Sequence, residues 1–283
     1  MAQLLKHYDD LTDRDLKQMR FPAYVQKKED GVYAEVGATG TYSRQERAFY
    51  IPVEVQNQIR IPNYHLVAEL ICPGLSLEEL SGLVNPNRTK PWKDYQIDHF
   101  HEHARYVYHD MISSTAVLRG FDTLPYKNRL EALHNAVSST DIVQTSTINS
   151  FNEVDEYYET AVQLGWEGIV LKQMHGIWQS ESRNFDQVKR VRGIDVDLVC
   201  NEVVQGKGKF AGYIAKLGFT YKGKKFYAGA GAGWNMDALA DLTSNWRADP
   251  SSIIGTTWRV HGLQESSKGV IRLPKFCEQR IDK

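Results

Sequence analysis

Lys28 stands in the tetrapeptide Lys28-Glu29-Asp30-Gly31, between the apolar runs "AYV" and "VYAEV". A lysine at a strand end beside a tight turn can act as a covalent nucleophile, because the turn fixes its amine at the floor of a pocket. The same pattern also fits a plain surface hairpin. A second stretch, Glu167-Gly168-Ile169-Val170-Leu171-Lys172, puts a carboxylate and an ammonium at the two ends of an apolar run. On a strand, Glu167, Ile169 and Leu171 face one way and Gly168, Val170 and Lys172 the other. Such charges are costly unless they point into a polar site or reach solvent. A third segment, "RNFDQVKRVRGID", carries Arg183, Lys189, Arg190 and Arg192, and the chain closes on "IRLPKFCEQRIDK", with Arg272, Arg280 and Lys283. Between Lys172 and Lys225 there are eleven Lys or Arg against five Asp or Glu. A polyanion, if one binds, is expected there.

These residues need elements to position them. Alternating apolar residues from Tyr24 to about Glu69, broken by Gly, Asn and Pro, predict antiparallel strands. "SLEELSGLVN" reads as a helix with Ser76 as N-cap and Glu79 completing a capping box. "YVYHDMI" is a predicted strand, "LPYKNRLEALHNAV" a helix, "STDIVQTSTI" a strand and "NEVDEYYETAVQLG" a helix ending at Gly165. Beyond about Gly193 the texture changes to short strands with glycine-bearing turns and one helix, "NMDALADLTSNW", which suggests a small closed barrel such as the OB-fold. The expected organisation is an α+β domain over residues 1–193 and a barrel over 194–283.

Composition bounds the rest. Of the 283 residues, 42% are hydrophobic and 24% charged, ordinary for a globular chain, and the net charge of -1 argues against a generic basic nucleic-acid coat. Cys72, Cys200 and Cys277 are far apart and form no CxxC pair, which predicts reduced thiols in a cytoplasmic protein. No run is long and apolar enough for a membrane span, so no membrane partner is expected.

The four charged elements, in this order, resemble the covalent nucleotidyltransferase superfamily, specifically the ATP-dependent DNA ligases of small phage and virus type. In that family the K-x-D-G lysine, here Lys28, is adenylylated. "TYSRQERAF" resembles the segment that holds nick phosphates, with Ser43 and Arg44, and "VAELI" the one whose glutamate, Glu69, contacts the ribose. "VYHDMI" stands where an aromatic residue stacks on adenine, a place held here by His109. "EGIVLK", "VKRVRGIDVDL" and "RIDK" match the remaining motifs. The resemblance implies an adenylation domain followed by an OB-fold domain, ATP and Mg²⁺ (or Mn²⁺) as cofactors, and a monomer acting on nicked double-stranded DNA.

Residue by residue, the resemblance implies Lys28, Asp30, Lys172 and Lys189 as catalytic. It assigns the nucleotide to Lys28, Arg44, Glu69, His109, Glu167, Lys172, Lys189, Arg280 and Lys283. The metal falls to Glu167, with Asp30 second, and DNA to Arg44, Arg183, Arg190, Arg192, Lys207 and Lys209. Three positions depart from the family pattern, the first being His109 in place of Phe, Tyr or Trp. Tyr33 replaces an arginine two places after the motif glycine, so that arginine's contact is lost or supplied from elsewhere, for example by Arg44. Val191 replaces the second lysine after Lys189, leaving Arg190 or Arg192 as the second cation.

The chemistry sets a requirement on Lys28. A free lysine, with a pKa of about 10.4, has no lone pair at neutral pH. Nearby cations, expected from Lys172, Lys189 and the metal, favour the neutral amine and offset charge on the α-phosphate. Arg280 and Lys283 are expected to reach the β,γ-phosphates by a lid motion of the barrel. An RNA ligase or GTP-dependent capping enzyme shares this lysine chemistry, and a nucleic-acid clamp with a degenerate ligase fold is the non-enzymatic alternative. The 27 residues ahead of Lys28 are too few for the extra domain of an NAD-dependent ligase. His99, His101 and His103, spaced by two, would share one strand face, a weak zinc signal.

Overall fold

Where apolar and polar residues alternate, hydrogen-bonded strands follow, and among the described residues they form four sheets. The computed structural model describes residues 2–231, 233–266 and 269–280. The chain parts between Val191 and Arg192 into two units.

The first unit holds a five-stranded sheet built from β1 (Leu4–His7), β2 (Ala23–Lys27), β8 (Thr145–Ile148), β9 (Gly168–Gln173) and β11 (Arg183–Val191). Its order is β1-β11-β9-β2-β8, so β9 and β2 lie side by side at the centre. β9 is buried at every position, as the apolar run "GIVLKQ" requires. Val25, Ile169, Leu171 and Val188 project from one face onto helix α6 (Phe151–Gln163), where Val154 and Ala161 meet them. Ser150 caps α6 by accepting a hydrogen bond from the Glu153 N–H, and Gly165, at φ 78°, ends it. That stop delivers Glu167 to the start of β9. A short helix, α1 (Asp13–Gln18), links β1 to β2.

A second sheet runs β4-β3-β5-β6, with β3 (Val32–Val36), β4 (Thr41–Tyr42), β5 (Tyr64–Ile71) and β6 (Arg105–Ser113). Helices α2 (Leu77–Leu83), α3 (Asp94–His103) and α5 (Tyr126–Ala136) contribute Leu80, Leu83, Phe100, Leu130 and Leu133 to the core beside it. The capping box of α2 is present: Ser76 Oγ accepts from the Glu79 N–H, and Glu79 accepts from the Ser76 N–H. Helix α4 (Ser114–Arg119) and the two-stranded β7 (Phe121–Asp122) with β10 (Trp178–Gln179) complete the unit.

The second unit is a six-stranded sheet with β12 (Gly193–Val199), β13 (Glu202–Gln205), β14 (Ile214–Tyr221), β15 (Lys224–Ala230), β16 (Thr257–Glu265) and β17 (Ile271–Gln279), in the order β12-β16-β17-β15-β14-β13. Helix α7 (Met236–Ala248) inserts Leu239 and Leu242 into a core centred on Trp258 and Phe276.

Three expectations are corrected. The closed barrel is not hydrogen-bonded all round, because among the described residues no ladder joins β12 to β13. These edge strands are consecutive: the chain bends at Cys200 and Asn201, so that β12 pairs with β16 and β13 with β14. Residues 43–55 form no long strand. Beyond Tyr42 the polar segment 43–47 turns, with Ser43 Oγ accepting from the Arg47 N–H and Glu46 at φ 60°, while Phe49, Ile51 and Val55 beyond it reach the core without forming a long strand. His99, His101 and His103 lie on helix α3, whose Ile97 and Phe100 follow a helical period, and no metal-binding cluster occurs among the described residues.

Candidate active site

Pairing between strands decides which side chains share a face. In the five-stranded sheet Gln26 lies opposite Val170, which lies opposite Lys189, while Tyr24, Lys172 and Gln187 form the next row. This face therefore carries Lys172 and Lys189, whereas the other face is the apolar floor on α6. Lys28 follows the last residue of β2, and its N–H donates to Gly168 O at 3.0 Å. That bond sets Lys28 beside Glu167, and Nζ lies 2.5 Å from Glu167 Oε2.

Two glycines make the arrangement possible through close approach. A Cβ on Gly168 would lie 2.1 Å from Arg190 O, so only glycine lets β9 start this close to β11. A Cβ on Gly31 would lie 2.5 Å from Leu70 O. The turn after Lys28 thus packs directly against β5, which brings Glu69 to the site.

Electrostatics joins these groups. Burial pushes the Glu69 carboxyl up to about 7, with Glu167 and Asp30 adding to the effect and Lys28 and Arg44 opposing it. Lys189 is lowered, first by burial and then by the charge of Lys28, with Glu167 pulling the other way. Arg44 lies over the Tyr33 ring, 5.3 Å from its centre, beside the residue that stands in place of the motif arginine. Lys28, Asp30, Arg44, Glu69, Glu167 and Lys189 are therefore one cluster.

The expected surroundings of Lys28 need one correction. Its direct partner is a carboxylate, Glu167, while Lys189 supplies the positive field. Lys172, on the same sheet face, is held by a second group of residues. Its Nζ sits 4.6 Å from the centre of the Tyr126 ring, and burial pulls it down to about 8, with Asp110 opposing and Arg129 reinforcing.

His109 adjoins this second group. Val67 pairs with Asp110 while Ala68 pairs with Tyr108, so His109 is the extra residue of a β-bulge in β6. Burial and then the Lys172 charge push its imidazole down to about 3, which keeps it neutral, and Nδ1 has no hydrogen-bond partner among the described residues. Tyr108 points away, into the core of the second sheet.

Arg190 is not part of the site. One residue after Lys189, it faces the opposite side, between the Tyr8 and Tyr158 rings at 4.8 and 4.2 Å, and is paired to Asp155. Period two excludes it as the second cation, and this held guanidinium is no free DNA contact. Arg183 is exposed at the start of β11, donating to Leu5 O at 3.2 Å. In the second unit Arg192 is partly exposed, Lys207 and Lys209 are exposed, and Arg280 pairs with Glu278 at 3.2 Å. Lys283 lies outside the described residues.

Asp110 and Arg129 escaped the motif reading. Arg129 Nε and Nη2 donate to Asp110 Oδ1 and Oδ2 at 2.9 and 3.1 Å, and both side chains are almost fully buried. The signal was present in the chain: Arg129 falls on the apolar stripe Tyr126, Leu130, Leu133 of α5, where an arginine demands a buried partner.

Residues 78–190 match the ATP dependent DNA ligase domain. That segment includes His109, Glu167, Lys172 and Lys189 and begins after Lys28, Arg44 and Glu69. The DNA ligase of Sulfolobus acidocaldarius is 31% identical over 104 residues, 33% of this chain and 17% of that protein. The DNA ligase of Enterobacteria phage T4 is 31% identical over 72 residues, 25% of this chain and 14% of that protein. The chain thus matches under a fifth of the length of these curated relatives. A solved Lig E DNA ligase superposes with a TM-score of 0.74 at 20% identity, covering 99% of this chain and 98% of that one. The ATP-dependent DNA ligase of bacteriophage T7, in complex with ATP, gives 0.55 at 16% identity, covering 99% and 98%. The fold is the one these solved ligases share.

Proposed function

We propose, from this shared fold and the matched ligase domain, that the protein is an ATP-dependent DNA ligase sealing nicks between a 5′-phosphate and a 3′-hydroxyl in duplex DNA. The observation that carries the reading is Lys28 Nζ, held 2.5 Å from Glu167 beside the sheet face that bears Lys189. Three free cysteines support a reducing, cytoplasmic setting, and no helix among the described residues is long and apolar enough to cross a membrane. We take the working form to be a monomer.

In the first step the Lys28 amine attacks the α-phosphorus of ATP. A bond forms from Nζ to phosphorus, the bond to the bridging oxygen breaks, and pyrophosphate leaves with the electron pair. An ammonium has no lone pair, so the Lys28–Glu167 ion pair must open and Lys28 must release a proton to water before attack. Lys172 and Lys189, with Arg44, then offset the charge growing on the α-phosphate oxygens. Glu69 offers its carboxyl to the ribose, and neutral His109 an apolar ring face to the base. AMP next passes to the 5′-phosphate, and the 3′-hydroxyl displaces it. Asp30 and Arg44 are assigned to these nick-directed steps.

Mg²⁺ fits the carboxylates present. It is held by one or two carboxylates with substrate phosphates and water, not by a closed cage of side chains. Glu167, with Asp30, would hold it, and it would supply charge neutralisation on the phosphates.

Incubation with α-labelled ATP, with GTP and NAD in parallel, followed by peptide mapping, tests the reading. Label from ATP alone on Lys28, lost in Lys28→Ala, together with sealing of nicked DNA, is expected. Label on another side chain, or transfer from GTP or NAD only, overturns it.

A further inference from the structure

We infer that the buried Asp110–Arg129 pair is a positioning device for Lys172, with Asp110 as the anion its ammonium stands near and Arg129 as the partner that holds Asp110 in place. Two elements converge on this one lysine of β9. Helix α5 supplies Tyr126 and Arg129 from its inward stripe, and β6 supplies Asp110 through the bulge at His109. Arg129 is locked by the two-pronged contact to Asp110 and by Nη1, which donates to Leu124 O at 2.5 Å and Gly176 O at 3.4 Å. Asp110 Oδ1 also accepts from the Met111 N–H at 2.9 Å. Tyr126 is pinned in turn, its hydroxyl donating to His109 O and accepting from Gln26 Nε2, both at 2.7 Å.

Lys172, 5% exposed, rests on the Tyr126 ring, with no carboxylate paired directly to it among the described residues. A buried ammonium in such a place loses its charge unless a fixed anion stands near. Tyr24 on β2 and Gln187 on β11 share its row, and the Tyr126 ring that bears its ammonium also lies against the Arg129 guanidinium, 5.4 Å from the ring centre. The charges that act on it are those of Asp110 and Arg129, and its own acts on His109. Asp110 is the one anion among them at neutral pH. Its guanidinium partner tempers that charge without cancelling its position, because the fork fixes the carboxylate plane. Asp110 and Arg129 thus act through Lys172, and, resting on the ligase reading, through it on the reacting phosphate.

The two partners predict opposite effects, which a merely structural role does not. The test is a titration of full-length protein carrying ¹³C at lysine Cε, with the Lys172 signal assigned by its loss in Lys172→Arg. In Asp110→Asn the Lys172 midpoint is expected to fall by about one pH unit or more, the usual effect of losing a nearby opposite charge. In Arg129→Gln it is expected to rise, and in Arg129→Lys, which keeps the charge, to stay close to that of the unmodified protein. The alkaline limb of lysyl-AMP formation should move the same way in each variant. An unmoved Lys172 midpoint in both Asp110→Asn and Arg129→Gln overturns the inference, as does a shift of the same sign in both. If Asp110→Asn does not fold, the Arg129→Gln and Arg129→Lys pair decides. If the unmodified protein forms no lysyl-AMP, the ligase reading fails, while the lysine titration still decides the coupling.

Discussion

Between Lys28 and Arg44 on one side and Glu167 and Asp30 on the other, the Glu69 carboxyl meets opposing charges in a site that excludes much of the water. Desolvation outweighs the two cations, so Glu69 is half protonated at about pH 7 in the folded protein. The sign for stability follows. A raised carboxyl favours the folded state while protonated, so its contribution is complete below its ordinary value of 4.5 and is lost as pH rises to about 7. Lys28 is the larger of the two charges that hold the carboxyl down. Lys28→Ala should therefore raise the Glu69 midpoint by about one pH unit, read from its carboxyl carbon by ¹³C NMR. A midpoint that stays put in this variant would mean that Lys28 and Glu69 do not share a site. Adenylylation also removes the Lys28 charge, so the same upward movement is expected when lysyl-AMP forms.

At the scale of elements, the site depends on how closely β9 approaches β11. Gly168 is the place to break it. Gly168→Ala sets a methyl carbon 2.1 Å from Arg190 O, so the strands must part and the Lys28 N–H loses Gly168 O. The expected cost is about 3 kcal/mol or more, seen as a lower urea midpoint at unchanged slope, together with loss of self-labelling. Elements with one clear period were legible in the sequence: β9, α5, α6 and the capped α2 all stand where their apolar residues put them. Lys28, Glu69, Glu167 and Lys189 were legible through the order of their motifs. The bulge at His109 was not, because one extra residue leaves no mark on composition, yet it shifts which residues share the face of β6. The three histidines of α3 misled because alternation over five residues fits a helix as well as a strand, and Ile97 with Phe100 decides for the helix. Arg190 misled for the opposite reason: the motif count ignored the period of two that turns it away from Lys189.

Across the whole molecule the net charge is -1, so on the proposed ligase reading DNA is met by local cations and not by a general field. Eleven Lys or Arg lie between Lys172 and Lys225, but several are spent within the fold. Lys222 pairs with Glu265 at 2.6 Å, Lys225 with Glu202 at 2.5 Å, and Arg190 with Asp155. Lys207 and Lys209 are exposed on a turn, with Lys209 Nζ 5.0 Å from the centre of the Phe210 ring. Each lysine that neutralises a phosphate adds about 0.9 to the slope of log affinity against log salt. Lys207→Ala with Lys209→Ala should therefore lower that slope by about 2 on a nicked duplex, measured by fluorescence anisotropy across a salt series. Arg190→Ala should leave the slope unchanged and instead cost about 1 kcal/mol of stability, because its guanidinium is held between Tyr8 and Tyr158. A slope that falls in Arg190→Ala and holds in the double variant would reverse the assignment, placing the DNA contact on the first unit's outer face and leaving the Lys207 turn as solvated surface.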